Sequence, residues 1–270
     1  MPVADVPREI SALRGPLVEA VHAAGSLALE SRAAPLRTWH KANASPVSEA
    51  DIEVDQLLKT RLLAATPDYG WLSEESVDER ARMQRRRVWI VDPIDGTRAY
   101  LAGGADWVVS AALVEEGRPI LGAMFAPVEA SLFVAMRGAG ATRNGTALQV
   151  SSGSSLKGAR IAGPRGHLKS LTTLAPEIVA VPKIHSLALR LARVAEGALE
   201  GVFVSHSGHD WDLAAADLLV HEAGGALTTL GGEPPVYNRA DPVHGALFAA
   251  GLARHAALAA IVREHRALFA

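Results

Sequence analysis

Asp92, Pro93, Ile94, Asp95, Gly96 and Thr97 stand in a row directly after the apolar run Val88-Trp89-Ile90-Val91. The hexapeptide puts two carboxylates, a rigid proline, a glycine and a hydroxyl at the end of what reads as a buried strand. Farther on, Trp211-Asp212 opens a helix-like stretch with an acid in its first turn, and upstream lies a third acidic element, Ser73-Glu74-Glu75-Ser76. Carboxylates gathered this closely call for a positive charge among them. Hard divalent cations such as Mg²⁺ take oxygen ligands, usually one or two carboxylates plus substrate phosphates. The chemistry indicated is metal-dependent cleavage of a phosphate ester.

The spacing suggests how such a site would be built. Pro93 restricts the backbone between the two aspartates, so a turn there would bring Asp92, Asp95 and the Ile94 carbonyl to one point. Gly96 would let the backbone approach a phosphate. A helix starting after Gly96 would offer free N–H groups to an anion, and the Thr97 hydroxyl would hold a water. Asp212 and Asp51 also read as helix N-caps, a role compatible with metal binding, and Trp211 as core. Of ten histidines, His206 and His209 with Asp210 come nearest to a zinc set. Their flexible Ser-Gly spacing points instead to a structural or substrate-rim role. His185, beside Ser186, is read as either pocket-lining or capping.

These residues need elements to position them. Apolar positions recur at helical spacing over 8–32 and 51–65. Pro67–Gly70 reads as a turn, and Trp71–Ser73 as a short strand leading into the acidic pair. The charge run 78–87 reads as a solvated loop or helix face. Runs at 88–91, 107–114, 120–126 and 131–136, joined by short connections, predict an antiparallel sheet, with a further turn at Asn144-Gly145. The polar stretch Ser151–Ser155 is the best domain boundary. It divides an N-terminal α+β domain (1–150), with most of the metal ligands, from a C-terminal α/β domain (151–270) supplying Asp212 and substrate-side residues. In the second half, strands at 158–163, 178–182, 202–204, 226–230 and 246–250 alternate with helices at 185–198, 212–223 and 252–268. The Gly224-Gly225 pair marks a helix end. The site is expected in the crevice between the halves.

Composition excludes more than it identifies. The chain has 270 residues, 49% apolar and 21% charged, with net charge -2 and no cysteine. There is no basic footprint for nucleic acid or an anionic membrane, no thiolate metal site and no disulfide. No apolar run is long enough to span a bilayer, and the first residues show no signal core. The expectation is a cytoplasmic protein.

The hexapeptide, Trp211-Asp212-Leu213-Ala214-Ala215-Ala216 with Glu222-Ala223-Gly224-Gly225, and Ser73-Glu74-Glu75 together resemble the inositol monophosphatase superfamily of Mg²⁺-dependent, lithium-sensitive phosphatases. The resemblance runs from about residue 10 to the end. It implies a layered αβαβα sandwich, an α+β/α/β fold, often dimeric. It further implies that Glu74, Asp92 and the Ile94 carbonyl hold a first Mg²⁺, that Asp92, Asp95 and Asp212 hold a second, and that a looser third leans on Glu74. Mn²⁺ would substitute and Li⁺ inhibit. Gly96 and Thr97 would bind phosphate oxygens, while Glu74, Thr97 and Asp51 would order and activate the attacking water. Ala99-Tyr100 departs from the family pattern, which puts substrate preference in question.

Several segments are similar to the 3′(2′),5′-bisphosphate nucleotidase branch: Lys41 through Asp51, Leu72–Glu75, and Ile120-Leu121-Gly122 with Ala126-Pro127-Val128. Arg190 falls where that branch keeps a lysine, and a guanidinium suits a second phosphate. Lys41, Ser186 and Arg190 are accordingly expected at the substrate. Ile94 and the Arg98-Ala99-Tyr100 flank look more like inositol or histidinol phosphate phosphatases. The favoured substrate is adenosine 3′,5′-bisphosphate, hydrolysed to AMP, with inositol-type monoesters as the alternative. A reading of another class is a binding partner in RNA-polymerase or ribosome assembly, as for some superfamily members. No nucleic-acid polymer is expected as a substrate.

Overall fold

The computed structural model describes residues 8–33, 35–41 and 46–269. In chain order the elements are α1 (Arg8–Ala12), α2 (Arg14–Ser31), β1 (Thr38–His40), β2 (Pro46–Ser48), α3 (Glu49–Ala65), β3 (Gly70–Ser73), β4 (Arg87–Asp95), α4 (Thr97–Leu101), β5 (Val108–Glu115), β6 (Arg118–Ala126), β7 (Ser131–Met136), β8 (Gly140–Arg143) and β9 (Thr146–Ala147). There follow β10 (Arg160–Ala162), α5 (Arg165–Leu174), β11 (Val179–Ala180), α6 (Leu187–Ala195), β12 (Gly201–Val204), β13 (Gly208–His209), α7 (Asp210–Glu222), β14 (Gly225–Thr229), β15 (Val243–His244), β16 (Leu247–Gly251) and α8 (Leu252–Glu264).

Strands β3 to β9 form one seven-stranded sheet in sequence order, antiparallel except for the parallel β3–β4 pair. A second, five-stranded sheet has the order β11-β10-β12-β16-β14 and is mixed. Three apolar clusters show how the layers stack. On β4, Trp89 and Val91 pack with α2 and α3, whereas Val88 and Ile90 pack with α6 and α7. Successive side chains on a strand point to opposite faces, so a strand covered on both sides reads as an unbroken apolar run. The second sheet turns Val202, Val204 and Leu247 toward α6 and α7, and Ile161, Phe203 and Phe248 toward α5 and α8. The layers are therefore α2/α3, sheet, α6/α7, sheet, α5/α8: the expected αβαβα sandwich.

Helix α7 lies in the middle layer. Leu213 to Ala216 and Leu218 to Val220 are all buried, so small residues bring it close to the sheet. A Cβ on Gly122 of β6 would sit 3.1 Å from the Ala215 Cα, so a larger residue there would push α7 outward by a few tenths of an ångström.

Two expectations need correction. The helix expected over 8–32 is broken near Leu13 into α1 and α2. The charge run 78–87 is not wholly solvated: Arg82 is 2% exposed and Arg87 7%. Arg82 donates to Asp78, to the Asn238 side chain and to the Arg239 carbonyl, and Arg87 pairs with Glu9 and bonds Tyr69. At the expected boundary, the Arg254 guanidinium bonds the carbonyls of Ser151, Ser152 and Ser155 and the Ser151 hydroxyl.

Candidate active site

The site is assembled where β4 ends. All nine residues of β4 are buried. Its pairing with β5 runs in register to Asp92–Ser110 and resumes at Asp95–Val108, so one extra residue is accommodated in between. Pro93 falls in this irregularity, where a missing N–H breaks no ladder bond. A bulge bends the strand and re-aims its side chains. The Ile94 N–H donates to Asp92 Oδ1 at 3.0 Å, which locks the turn.

Gly96 then takes φ 98° and caps the five-residue α4. A Cβ there would lie 2.5 Å from the Asp106 carbonyl oxygen. The Ala99 and Tyr100 amides both return to the Gly96 carbonyl, while a helix's leading amides have no such partner. The Thr97 hydroxyl lies 3.0 Å from the Ile94 carbonyl and 3.4 Å from Asp51 Oδ1. With one proton it donates to one of them at a time.

Two acids expected as N-caps sit two or three residues inside their helices. The cap of α3 is Ser48, and Asp51 accepts from the Ser48 N–H at 2.8 Å and its hydroxyl at 2.6 Å. The cap of α7 is His209, whose N–H donates to Asp212 Oδ2 at 2.7 Å. Both are the third-position acids of capping boxes. Each carboxylate is therefore held at Oδ2 by its capping residue, and the other oxygen of Asp51 faces the Thr97 hydroxyl.

Asp95 is gripped from the opposite side. The Ser186 hydroxyl donates to Asp95 Oδ2 at 2.5 Å, the Ala188 N–H at 2.6 Å, and Ser186 in turn caps α6 by accepting from the Leu189 N–H. Ser186 is fully buried. There it supports Asp95.

The carboxylate oxygens of Asp92, Asp95 and Asp212 come within 4.8 Å of one another. Burial raises the Asp92 carboxyl well above the usual range, with Glu74, Asp95 and Asp212 adding to the effect. Burial, then Asp212, pushes Asp95 up to about 7. Glu74 and Asp51 are also raised, first by burial. Asp92 Oδ2 is buried with no hydrogen-bond partner among the described residues. Buried acceptors are normally satisfied. Three hard oxygen donors around an unpaired carboxylate oxygen fit a divalent cation, and Mg²⁺ is the ion these residues suit.

Glu74 follows β3, where Asp55 accepts from the Ser73 and Ser76 hydroxyls. Asp55 lies one helical turn after Asp51 on α3, a spacing that could have flagged it from sequence. Lys41, expected at the substrate, instead bonds Glu74 Oε1 at 2.9 Å and Glu75 Oε1 at 2.7 Å. Residues 42–45 of the nucleotidase-like stretch lie outside the described residues.

A cavity of about 300 Å³ opens over this cluster. Glu74, Asp95, Gly96, Thr97 and Asp212 line it together with Arg98, Lys183, His185 and Arg190. Arg190, expected at the substrate, is among these lining residues. Its Nε is buried without a partner; burial lowers its pKa, and Asp95 and Asp212 oppose that. Lys183 went unnoticed in the sequence, where an isolated surface cation carries no signal, and Arg98 was read only as part of the flank after the hexapeptide. Ala99 is buried, and of the α4 residues Thr97 and Arg98 line the cavity. The zinc set does not form. Asp210 is consumed by His244, 2.7 Å away, and by the Asn238 N–H, while His209 stacks on Trp211.

Comparison with known proteins agrees with this geometry. Residues 10–267 match the model of the inositol monophosphatase family. The chain is 35% identical over 237 residues to an inositol-1-monophosphatase of Rhizobium meliloti, covering 83% of this chain and 88% of that one. It is 34% identical to a Nus factor SuhB of Xylella fastidiosa (77% and 78% covered). It is 28% identical to a 3′(2′),5′-bisphosphate nucleotidase CysQ of Aggregatibacter actinomycetemcomitans (78% and 82% covered). Among solved structures, the extragenic suppressor protein suhB of Bartonella henselae superposes with a TM-score of 0.84 at 28% identity, over 94% of this chain and 99% of that one. The chain belongs to the inositol monophosphatase family and is a hydrolase of that Mg²⁺-dependent phosphatase family.

Proposed function

We propose that this protein is a 3′(2′),5′-bisphosphate nucleotidase that removes the 3′-phosphate of adenosine 3′,5′-bisphosphate. The observation that carries this reading is the cavity lining, where Arg98, Lys183 and Arg190 share one space with the carboxylates. One phosphate would be held at the acidic end. A second phosphate needs its own cation, and a guanidinium with uncommitted donors binds it bidentately. The likeness to a CysQ nucleotidase supports the same choice. In this reading Glu74, Asp92 and the Ile94 carbonyl hold one Mg²⁺, Asp92, Asp95 and Asp212 a second, and Glu74 a looser third. The ions supply charge neutralisation on the phosphate and a water of lowered pKa. Gly96 and Thr97 hold the phosphate oxygens. Asp51, Thr97 and Glu74 orient the attacking water, with Asp51 receiving its proton through the Thr97 hydroxyl. Mn²⁺ substitution, inhibition by Li⁺, a homodimer and a cytoplasmic location belong to the same proposal.

Inositol 1-phosphate is the second reading, favoured by the higher identity to an inositol-1-monophosphatase. Phosphate release from the two substrates, side by side with Mg²⁺ and with EDTA, decides between them. A Mg²⁺-dependent preference for the bisphosphate supports the nucleotidase, and a preference for inositol phosphate overturns it. No release from either would turn attention to other phosphomonoesters, or to a partner role of the kind named for the Nus factor relative.

A further inference from the structure

A second cavity, about 520 Å³, lies at the other end of α7. It shares no lining residue with the acidic cavity. Asp212 and His221 are nine positions apart on α7, a rise of about 13 Å. Arg118 opens β6, Arg137 follows β7, and Leu218, Leu227 and Leu252 come from α7, β14 and α8. The volume is ordinary for a small-molecule site, which is typically apolar with a few placed polar groups.

The two arginines are the unusual part. Each guanidinium has five N–H donors. Arg118 donates to the Pro235 carbonyl at 2.9 Å and Arg137 to the Pro119 carbonyl at 2.7 Å. These are their only side-chain hydrogen bonds among the described residues, and neither forms an ion pair there. The carboxylate facing them, Asp217, is already engaged by the Tyr237 hydroxyl at 2.9 Å. Burial lifts that carboxyl to about 7, which weakens it as a counter-charge. Glu115 and Glu222 act on Arg137 only at longer range. Uncommitted guanidinium donors beside an apolar wall match an anion on an apolar body. Leu252, 63% exposed at the start of α8, offers that body a surface at the rim.

We propose that this cavity binds a small organic anion, an apolar ring or chain carrying one carboxylate, phosphate or sulfonate, independently of the phosphate-ester site. The test uses 8-anilinonaphthalene-1-sulfonate and its uncharged analogue N-phenyl-1-naphthylamine. Both are titrated by fluorescence into the full chain with Mg²⁺ and saturating inorganic phosphate. The expected result is one saturable sulfonate site per chain, at least tenfold tighter than for the uncharged analogue. That preference should vanish in Arg137→Ala, and the affinity should fall severalfold in Leu252→Glu. Both positions are exposed, so unchanged thermal melting shows that the fold is kept. Equal affinity for the two probes, displacement by phosphate with Mg²⁺, or wild-type affinity in both variants would overturn the proposal.

Discussion

The two sides of the active-site cavity are held in different ways. On the acidic side, each aspartate is fixed by backbone: Asp92 by the Ile94 N–H, Asp95 by the Ala188 N–H, Asp51 by the Ser48 N–H and Asp212 by the His209 N–H. On the cationic side, Arg98, Lys183 and His185 are exposed, and Arg190 has no side-chain hydrogen bond among the described residues. Groups that must share ions need positions set within fractions of an ångström, whereas groups that choose a substrate can sit on a rim. The acidic side should therefore govern turnover of any substrate, and the cationic side the choice among substrates.

Substitutions can break that division. Asp92→Asn should have the largest effect, lowering Mg²⁺-dependent kcat more than about 100-fold on every phosphoester, beyond what residues behind the ligands usually cost. Near-normal turnover would remove Asp92 from the metal site. Ser186→Ala should cost about 10- to 100-fold in apparent Mg²⁺ affinity, with KM for substrate little changed at saturating Mg²⁺. A selective KM effect would mark Ser186 as a substrate contact. Arg190→Ala should raise KM about 10-fold or more for a bisphosphate, the value of a charge-assisted hydrogen bond, and hardly at all for a monophosphate. Equal effects on both would end its second-phosphate role. Lys183→Ala, at an exposed position, should change the same ratio by no more than about fivefold.

A separate test, of stability, lies outside the cavity. Asp217 is raised to about 7 by burial, so the folded chain holds a proton that the unfolded chain has lost above pH 4 or so. Its contribution is present at low pH and lost as pH rises toward 7. Asp217→Asn should flatten the fall of thermal stability across that window, by on the order of 4 kcal/mol. A slope matching the wild type would show that the carboxyl is not shifted.

Much of the acidic side was legible because it is local. The spacing of Asp92, Asp95, Gly96 and Thr97 after an apolar run reports a strand end and a tight turn, and the structure supplies both. The helices could be read from a period of 3.6 residues and the main strands from unbroken apolar runs, since β3 to β7 pack apolar side chains on both faces; the layered sandwich itself came from the family resemblance. The rest depends on distant pairings. Arg82 looks like part of a solvated charge run until the 238–239 loop closes over it. Lys41 shows no link to the acidic pair in sequence, and β1 and β2 bring it to Glu74 and Glu75.

The sequence by itself determined which groups can do chemistry: hard oxygen donors at strand and helix ends, a glycine where φ must be positive, and no thiol anywhere. Tertiary structure alone decided how they divide the work. It placed Ser186 behind Asp95 and Asp55 behind Ser73, and it turned Arg98 and Lys183 toward the same cavity as Arg190. The reason is physical. A carboxylate's chemistry is carried by its own atoms and near neighbours, and Asp92, Asp51 and Asp212 are held locally, but burial, charge environment and the partners of Asp95 come from residues tens of positions away in the chain.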